Sequence, residues 1–374
     1  MSPTCATALF AVKTAVPPYR GTQEQAAQFM RRVLTASLPE ANLPRALGMV
    51  DKIYTSSGIH TRQSVVNDWL AEDPSQFTFF PANWQLEPFP STAARMKVYE
   101  QASVDLAEQA ARAAMIEAGI APGEVTHLVI STCTGFFAPG PDILLLRRLG
   151  LRPTVSRAIL GFMGCYAGFN GMRMADQIVR SDAGAVVLHV CIELCTLHFQ
   201  KKATPDLLIA NCLFSDGCSA AVFGAKGRRP ALALLAASHS HVEGDSLDQM
   251  TWHIGDTGFE MRLSVQVPRT LEQQAAPFVE SLLTRAGMTR QEVATWAVHP
   301  GGRKIVESLA SALKLGEDDL APSYGVLHDY GNMSSATIYF VLDRRLRDGG
   351  PSGPVVALGF GPGLTMEGAV LVRE

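Results

Sequence analysis

Two stretches of this chain, GFMGCYAGFNGMRMADQIVR (161–180) and YGNMSSATIYFVLDRRLRDGG (330–350), read as glycine turns running straight into a helix, the second closed by Gly349-Gly350. Each sits among apolar runs of strand length. In the first half a long amphipathic helix over 97–119 ends at Gly119 before a Pro-Gly turn. A strand HLVIST (127–132), a Gly/Pro-rich loop and a helix over 142–149 follow. After the first glycine turn come the buried runs VVLHVC (186–191) and GCSAAVFG (217–224). The second half repeats the plan: a helix over 271–287, the strand TWAVHPGG (295–302), a helix from near Arg303, the second glycine turn, and closing strands over 355–363 and 365–374. Alternating buried strands and helices indicate an α/β fold with largely parallel sheets. The echo between halves predicts an internally duplicated architecture with a pseudo-twofold axis. Its boundary falls near residue 230, after GAKGRRP, giving an N-terminal half 1–230 and a C-terminal half 231–374.

Bulk properties exclude several function classes. With 374 residues and a net charge of −3, nothing argues for a nucleic-acid-binding surface. No apolar run reaches the roughly 18 residues that would span a bilayer. The start, MSPTCATALFAVKTAVPP, has no cationic region before its apolar stretch and reads as a first strand rather than a signal peptide. Seven cysteines, an odd number scattered through apolar runs, predict buried thiols in a reduced, cytoplasmic protein. Cys191, Cys195, Cys212 and Cys218 lack the paired spacing of a metal site, so no metal is expected.

Three residues carry the chemistry. Cys165 follows Gly164 and precedes a helical stretch, where free N–H groups and the helix dipole favour a thiolate. His299 ends the strand TWAVHPGG, at the carboxyl edge where α/β sheets place reactive groups. Asn332 opens a helix at a glycine turn. Singly, these read as a structural thiol, a core histidine and an N-cap. Jointly, all three sit at glycine-bearing strand or helix ends, in equivalent places of two repeated halves. The trio suits thioester condensation: a thiolate takes the acyl group, and neutral imidazole and carboxamide donors stabilise an enolate. A protease would use the Asn only to orient the His, and the apolar surroundings argue against protein substrates.

GFMGCYAG, VHPGGRKI, YGNMSS and the C-terminal GFGPG, in this order and spacing, resemble the signature set of the chalcone/stilbene synthase superfamily, the type III polyketide synthases, in a bacterial-type member. The resemblance spans nearly the whole chain. It implies a thiolase-like fold in α-β-α-β-α layers and a homodimer. It implies an enzyme that loads an acyl-CoA starter on Cys165 and extends it with malonyl-CoA, using neither acyl carrier protein nor cofactor. His299 would help deprotonate Cys165 and, with Asn332, bind the thioester carbonyl and the enolate. Phe214, in NCLFSDG, corresponds to the gatekeeper phenylalanine.

By the same register Cys133, Thr134, Ala138, Cys195, His198, Gly258, Met261 and Ser334 line the starter and cyclisation pockets, and Arg45 and Lys52 hold CoA phosphates, with Gly48 where a third basic residue stands. Ala138 replaces a methionine and His198 a threonine. The lost thioether should open volume for an alkyl chain, which predicts medium-to-long fatty acyl starters and alkylpyrone or alkylresorcinol products. Cys133 resembles the extra cysteine of malonyl-only synthases, so a naphthalene- or phloroglucinol-forming activity is the close rival. A ketoacyl synthase III-like enzyme, which would use a carrier protein, and a non-catalytic scaffold are the remaining alternatives.

Overall fold

The computed structural model describes residues 5–347 and 351–373; Gly349-Gly350, expected to close the last helix, lies outside the described residues. The strands are β1 (Thr7–Ala15), β2 (Tyr19–Thr22), β3 (Thr61–Ser64), β4 (His127–Thr132), β5 (Ser156–Gly161), β6 (Val186–Leu194), β7 (Asp216–Ala225), β8 (Ala233–Val242), β9 (Met250–Gly255), β10 (Gly258–Leu263), β11 (Thr295–Val298), β12 (Gly353–Gly361) and β13 (Thr365–Arg373). The helices are α1 (Gln23–Ser37), α2 (Leu43–Thr55), α3 (Thr92–Ala118), α4 (Pro141–Leu149), α5 (Ala167–Ser181), α6 (Pro205–Leu213), α7 (Val267–Ala286), α8 (Arg303–Leu313), α9 (Ala321–Tyr330) and α10 (Thr337–Arg347). Local chemistry sets their ends. Ser91 caps α3 by accepting from the Ala94 N–H, and α3 stops at Gly119 in the left-handed region, as its sequence predicts.

Nine strands form one sheet in the order β11-β12-β13-β8-β1-β7-β6-β4-β5. The duplication is visible in it. From the middle outward, β1-β7-β6-β4 and β8-β13-β12-β11 run antiparallel, antiparallel, parallel in both arms. The arms meet through only the short β1–β8 pairing, Thr7 opposite Leu235 to Leu9 opposite Ala233. The expectation of largely parallel sheets fails: five of the eight strand pairs are antiparallel. A strand buried on both faces reads as a continuous apolar run in either direction, so hydropathy cannot tell the two apart.

Burial sorts the helices into layers. One core packs α3 and α4 on the first arm, including Leu106, Ala110, Leu128 and Leu145. A second holds α5 and α10 between both arms, including Phe169, Met172, Tyr339 and Leu342. A third packs α7 and α8 on the second arm, including Leu271, Leu282 and Leu309. The result is α-β-α-β-α, a thiolase-like α/β fold. The central α5–α10 layer carries the two glycine turns, so duplication itself brings them together. No helix among the described residues is long and apolar enough to cross a membrane.

Candidate active site

Cys165 stands two residues before the first residue of α5, beyond a bend in which Phe162 (φ 60°) and Gly164 (φ 89°) are left-handed. At Gly164 a Cβ would also lie 2.3 Å from Pro362 Cδ, so the β12–β13 turn and the Cys165 turn touch backbone to ring. This contact gives the GFGPG motif its structural reason. His299 follows β11 and is held by its N–H to the Leu358 carbonyl at 2.8 Å. Its ring is buried, and neither ring nitrogen has a partner among the described residues. Asn332 follows Gly331 (φ 71°), where a Cβ would meet the Leu213 carbonyl at 2.9 Å. The Asn332 carboxamide is oriented: Oδ1 accepts from the Ser334 N–H at 2.8 Å and Nδ2 donates to the Gly301 carbonyl at 3.2 Å.

All three line one cleft of about 260 Å³, with Phe214, Met261 and Lys52. The Asn332 amide and the Ser334 hydroxyl lie against the Cys165 thiol and favour its thiolate. Burial outweighs them and pushes the thiol up to about 11. Burial likewise holds His299 down at about 3. Desolvation thus opposes the thiolate that the helix N-terminus favours, and it opposes the imidazolium as well.

Behind Phe214 and Met261, which line both spaces, is a smaller chamber of about 60 Å³ walled by Phe29, Trp69, Phe80 and Phe199 and reached by Cys195 and His198. His198 is a strut rather than a free base. The Phe259 N–H donates to Nδ1 at 3.0 Å, which leaves Nε2–H to donate to the Thr134 carbonyl at 2.8 Å. Its ring stacks on Phe259 at 4.0 Å, and burial keeps it neutral, down at about 3.

The remaining expected residues divide. Ser334 is beside the thiol, in the left-handed region at φ 47°. Cys133, Thr134 and Gly258 are buried and are not among the residues that line the cleft. The Cys133 sulfur accepts the Gly164 N–H at 3.0 Å and burial raises its pKa well above the usual thiol value; Gly258 faces Arg95, whose Cδ would be 3.0 Å from a Cβ. Two of the expected residues lie off this cleft. Ala138 is exposed on the loop before α4, so its small side chain opens no volume in this chain's cleft. Arg45 is exposed two helical turns from Lys52 on α2, about 10 Å along the axis, and does not reach the cleft, whereas Arg303 and Lys304 at the start of α8 do.

Sequence reasoning passed over Glu193. It is fully buried on β6 and bound by the Cys133 N–H at 3.0 Å, the Thr134 hydroxyl at 2.9 Å and the Ser335 hydroxyl. It thus ties the β4 end to the Asn332 loop. A lone carboxylate in the apolar run VVLHVCIEL was the available signal. Burial raises it to about 7, over the opposing hydrogen bonds. A carboxyl with a raised folded-state pKa contributes most below the ordinary carboxyl range, and that contribution is lost as pH climbs through the folded value. Glu193→Gln, uncharged throughout, should therefore gain on wild type by about 3 kcal/mol between roughly pH 4 and pH 8. Unfolding midpoints of the two proteins across that window check this; parallel curves would refute it.

The fold and the cleft define a thiolase-like protein with a Cys, His and Asn around one substrate-sized space. Residues 2–227 and 234–373 match the N-terminal and C-terminal domains of the chalcone and stilbene synthases. The chain is 31% identical over 328 residues (85% of it, 81% of the relative) to "Alpha-pyrone synthesis polyketide synthase-like Pks18" of Mycobacterium tuberculosis. It is 33% identical over 297 residues (76% and 77%) to type III polyketide synthase C of Arabidopsis thaliana. The crystal structure of PKS-I from the brown alga Ectocarpus siliculosus superposes with a TM-score of 0.90 at 30% identity, covering both chains fully. The chain belongs to the chalcone and stilbene synthase family: it is a type III polyketide synthase, an acyltransferase of the condensing kind.

Proposed function

We propose that this synthase loads a fatty acyl-CoA starter on Cys165, extends it with malonyl-CoA, and releases an alkylpyrone or alkylresorcinol. The observation that carries the reading is the convergence of Cys165, His299 and Asn332 on one cleft, with the Asn332 carboxamide oriented by the Gly301 carbonyl and the Ser334 N–H. The sulfur attacks the thioester carbonyl as neutral His299 takes its proton, and coenzyme A leaves as the thiol after receiving that proton. Malonyl-CoA then loses carbon dioxide, and the electron pair of the broken bond becomes an enolate held by His299 and the free Asn332 N–H. Its carbon attacks the Cys165 acyl group, forming the new C–C bond and expelling the thiolate. No metal or organic cofactor is required by these steps.

Lys52, Arg303 and Lys304 at the cleft mouth suit the phosphates of coenzyme A, and take up the role that Arg45 and Gly48 leave open. Support for an aliphatic starter is the aromatic-walled chamber past Phe214, together with the α-pyrone synthesis in the mycobacterial relative's name. Weighing against the malonyl-only rival is the Cys133 sulfur, which accepts the Gly164 N–H and is not among the residues that line the cleft. We also propose a division near residue 230, in the turn between the two arms, and a homodimer. β5 has an open edge at the end of the sheet, with Ile159, Phe136 and Met163 exposed around it, which suits a second copy. A ladder of acyl-CoAs with malonyl-CoA and no carrier protein tests the function. Each methylene buried should raise kcat/KM by up to about fourfold, from about 0.8 kcal/mol per CH₂. A flat ladder would end the fatty-starter reading, and no product without a carrier protein would end the reaction assigned.

A further inference from the structure

Below the Cys165 turn, touching neither cavity, lies a buried polar relay that the chemistry above does not use. Tyr339 on α10, His189 on β6 and Ser131 on β4 are all fully buried. The Tyr339 hydroxyl is 2.7 Å from His189 Nδ1, His189 Nε2 is 2.9 Å from Ser131 Oγ, and Ser131 Oγ is 3.2 Å from the Ala167 carbonyl oxygen. The protons have one consistent arrangement. A carbonyl can only accept, so Ser131 donates to Ala167; Ser131 then accepts from Nε2–H, and Nδ1 accepts from Tyr339. The chain of donors runs from the helix that follows Asn332 to the first residue of the helix that follows Cys165.

The packing is built around it. At Gly171 on α5 a Cβ would lie 2.0 Å from His189 Cε1, and at Gly168, one turn earlier, 2.8 Å from the Ser335 carbonyl oxygen. The Cys165 helix therefore rests flush on the imidazole and on the Asn332 loop at once. A hydrocarbon would fill the His189 site without the desolvation cost of an imidazole, and burial holds this one neutral, down at about 3. What the polar group adds is direction: its bonds to Tyr339 and Ser131, with the Cys191 sulfur 3.6 Å from Nε2 beside them, fix how α10, β6, β4 and α5 sit against one another, and a fully satisfied buried network specifies one arrangement.

We infer that His189 is a positioning residue, holding the Cys165 turn and the Asn332 loop in one register through Tyr339, Ser131 and the Ala167 carbonyl. The inference rests on the assignment of Cys165 as the acyl carrier. The test is single-turnover acyl transfer from lauroyl-CoA to Cys165, followed by intact-protein mass spectrometry, alongside thermal melts. His189→Leu should load at least tenfold more slowly at saturating lauroyl-CoA, with half-saturation changed less than twofold. Tyr339→Phe should shift loading in the same direction and add nothing in the double variant. His189→Gln, with one donor and one acceptor, should recover to within threefold of wild type. A lowered melting point with wild-type loading per folded molecule would make the relay merely structural and overturn the inference; should His189→Leu not fold, Tyr339→Phe decides by the same criterion. Wild-type protein that loads elsewhere than Cys165 would overturn the nucleophile assignment and this inference with it, whereas normal wild-type loading with normal variants overturns this inference alone.

Discussion

Cys165→Ala protein mixed with an acyl-CoA should keep its unmodified mass, while wild type gains one acyl group on the peptide carrying Cys165. Turnover should fall by at least about 10⁴-fold, the scale seen when a covalent nucleophile is removed. The other buried thiols cannot substitute. Cys133 is engaged by the Gly164 N–H and held protonated by burial beside Glu193. Cys195 lies in the inner chamber and is likewise raised well above the usual thiol range by burial. Cys212 also lines the cleft, but its sulfur accepts from Gln23 Nε2 at 3.1 Å and burial pushes its pKa up to about 12. Cys165 shares the cleft with His299, which can take its proton, and has the Ser334 hydroxyl and the Asn332 amide against its sulfur. The substitution removes a single sulfur from a site that already borders open space, so the melting point should move by no more than the equivalent of about 1 kcal/mol. An acyl adduct that survives in Cys165→Ala would place the nucleophile elsewhere.

The same residues show how much of the molecule was readable beforehand. Strand β4 and the start of α8 fall where the sequence places them, because each is bounded by a sharp local signal: a helix-ending glycine before β4, and a Pro-Gly-Gly turn before Arg303. The meeting of Cys165, His299 and Asn332 in one cleft was legible for the same reason, since glycine turns mark where backbone must come close. Strand direction was not, because burial on both faces erases the alternation that distinguishes a half-exposed strand. Nor were α1, α2 and the β9–β10 hairpin, whose roles depend on distant partners: Trp252 on β9 is placed by donating to the Cys133 carbonyl at 2.9 Å, 119 residues away. Ala138 and Arg45 were assigned by register with a family, and register says nothing of whether a loop or helix side chain faces the cleft of a single chain. His198, opaque in the sequence, became intelligible only when both ring nitrogens were found on backbone partners. Glu193 and His189 share a lesson: each is an ionisable residue in an apolar strand, and each is met by its own set of buried partners.

Asn332→Ala should separate the two halves of the reaction. In loading, the thioester carbonyl keeps the possibility of help from His299 and from the backbone N–H of Cys165. In decarboxylation, charge builds on the malonyl thioester oxygen, and a neutral donor already aimed at that place lowers the barrier without reorganising. Asn332 is built for this: Gly301 and Ser334 hold its carboxamide, so one N–H is committed to the protein and the other is directed toward the Cys165 side of the cleft. Removing such a donor costs roughly 10²–10³-fold in rate, and here it should fall on carbon dioxide release from malonyl-CoA. Acyl loading of Cys165 should fall by less than about tenfold, the equivalent of losing one ordinary hydrogen bond. Asn332→Asp sharpens the contrast. It keeps the shape and an acceptor for the Ser334 N–H, but turns the free donor into a carboxylate facing a developing negative charge. Decarboxylation should drop below that of Asn332→Ala, although Asp restores the packing that Ala removes. Release of labelled carbon dioxide from malonyl-CoA, set against single-turnover loading in the same preparations, measures both. Equal losses in the two steps would mean that the carboxamide orders the cleft as a whole instead of meeting the enolate.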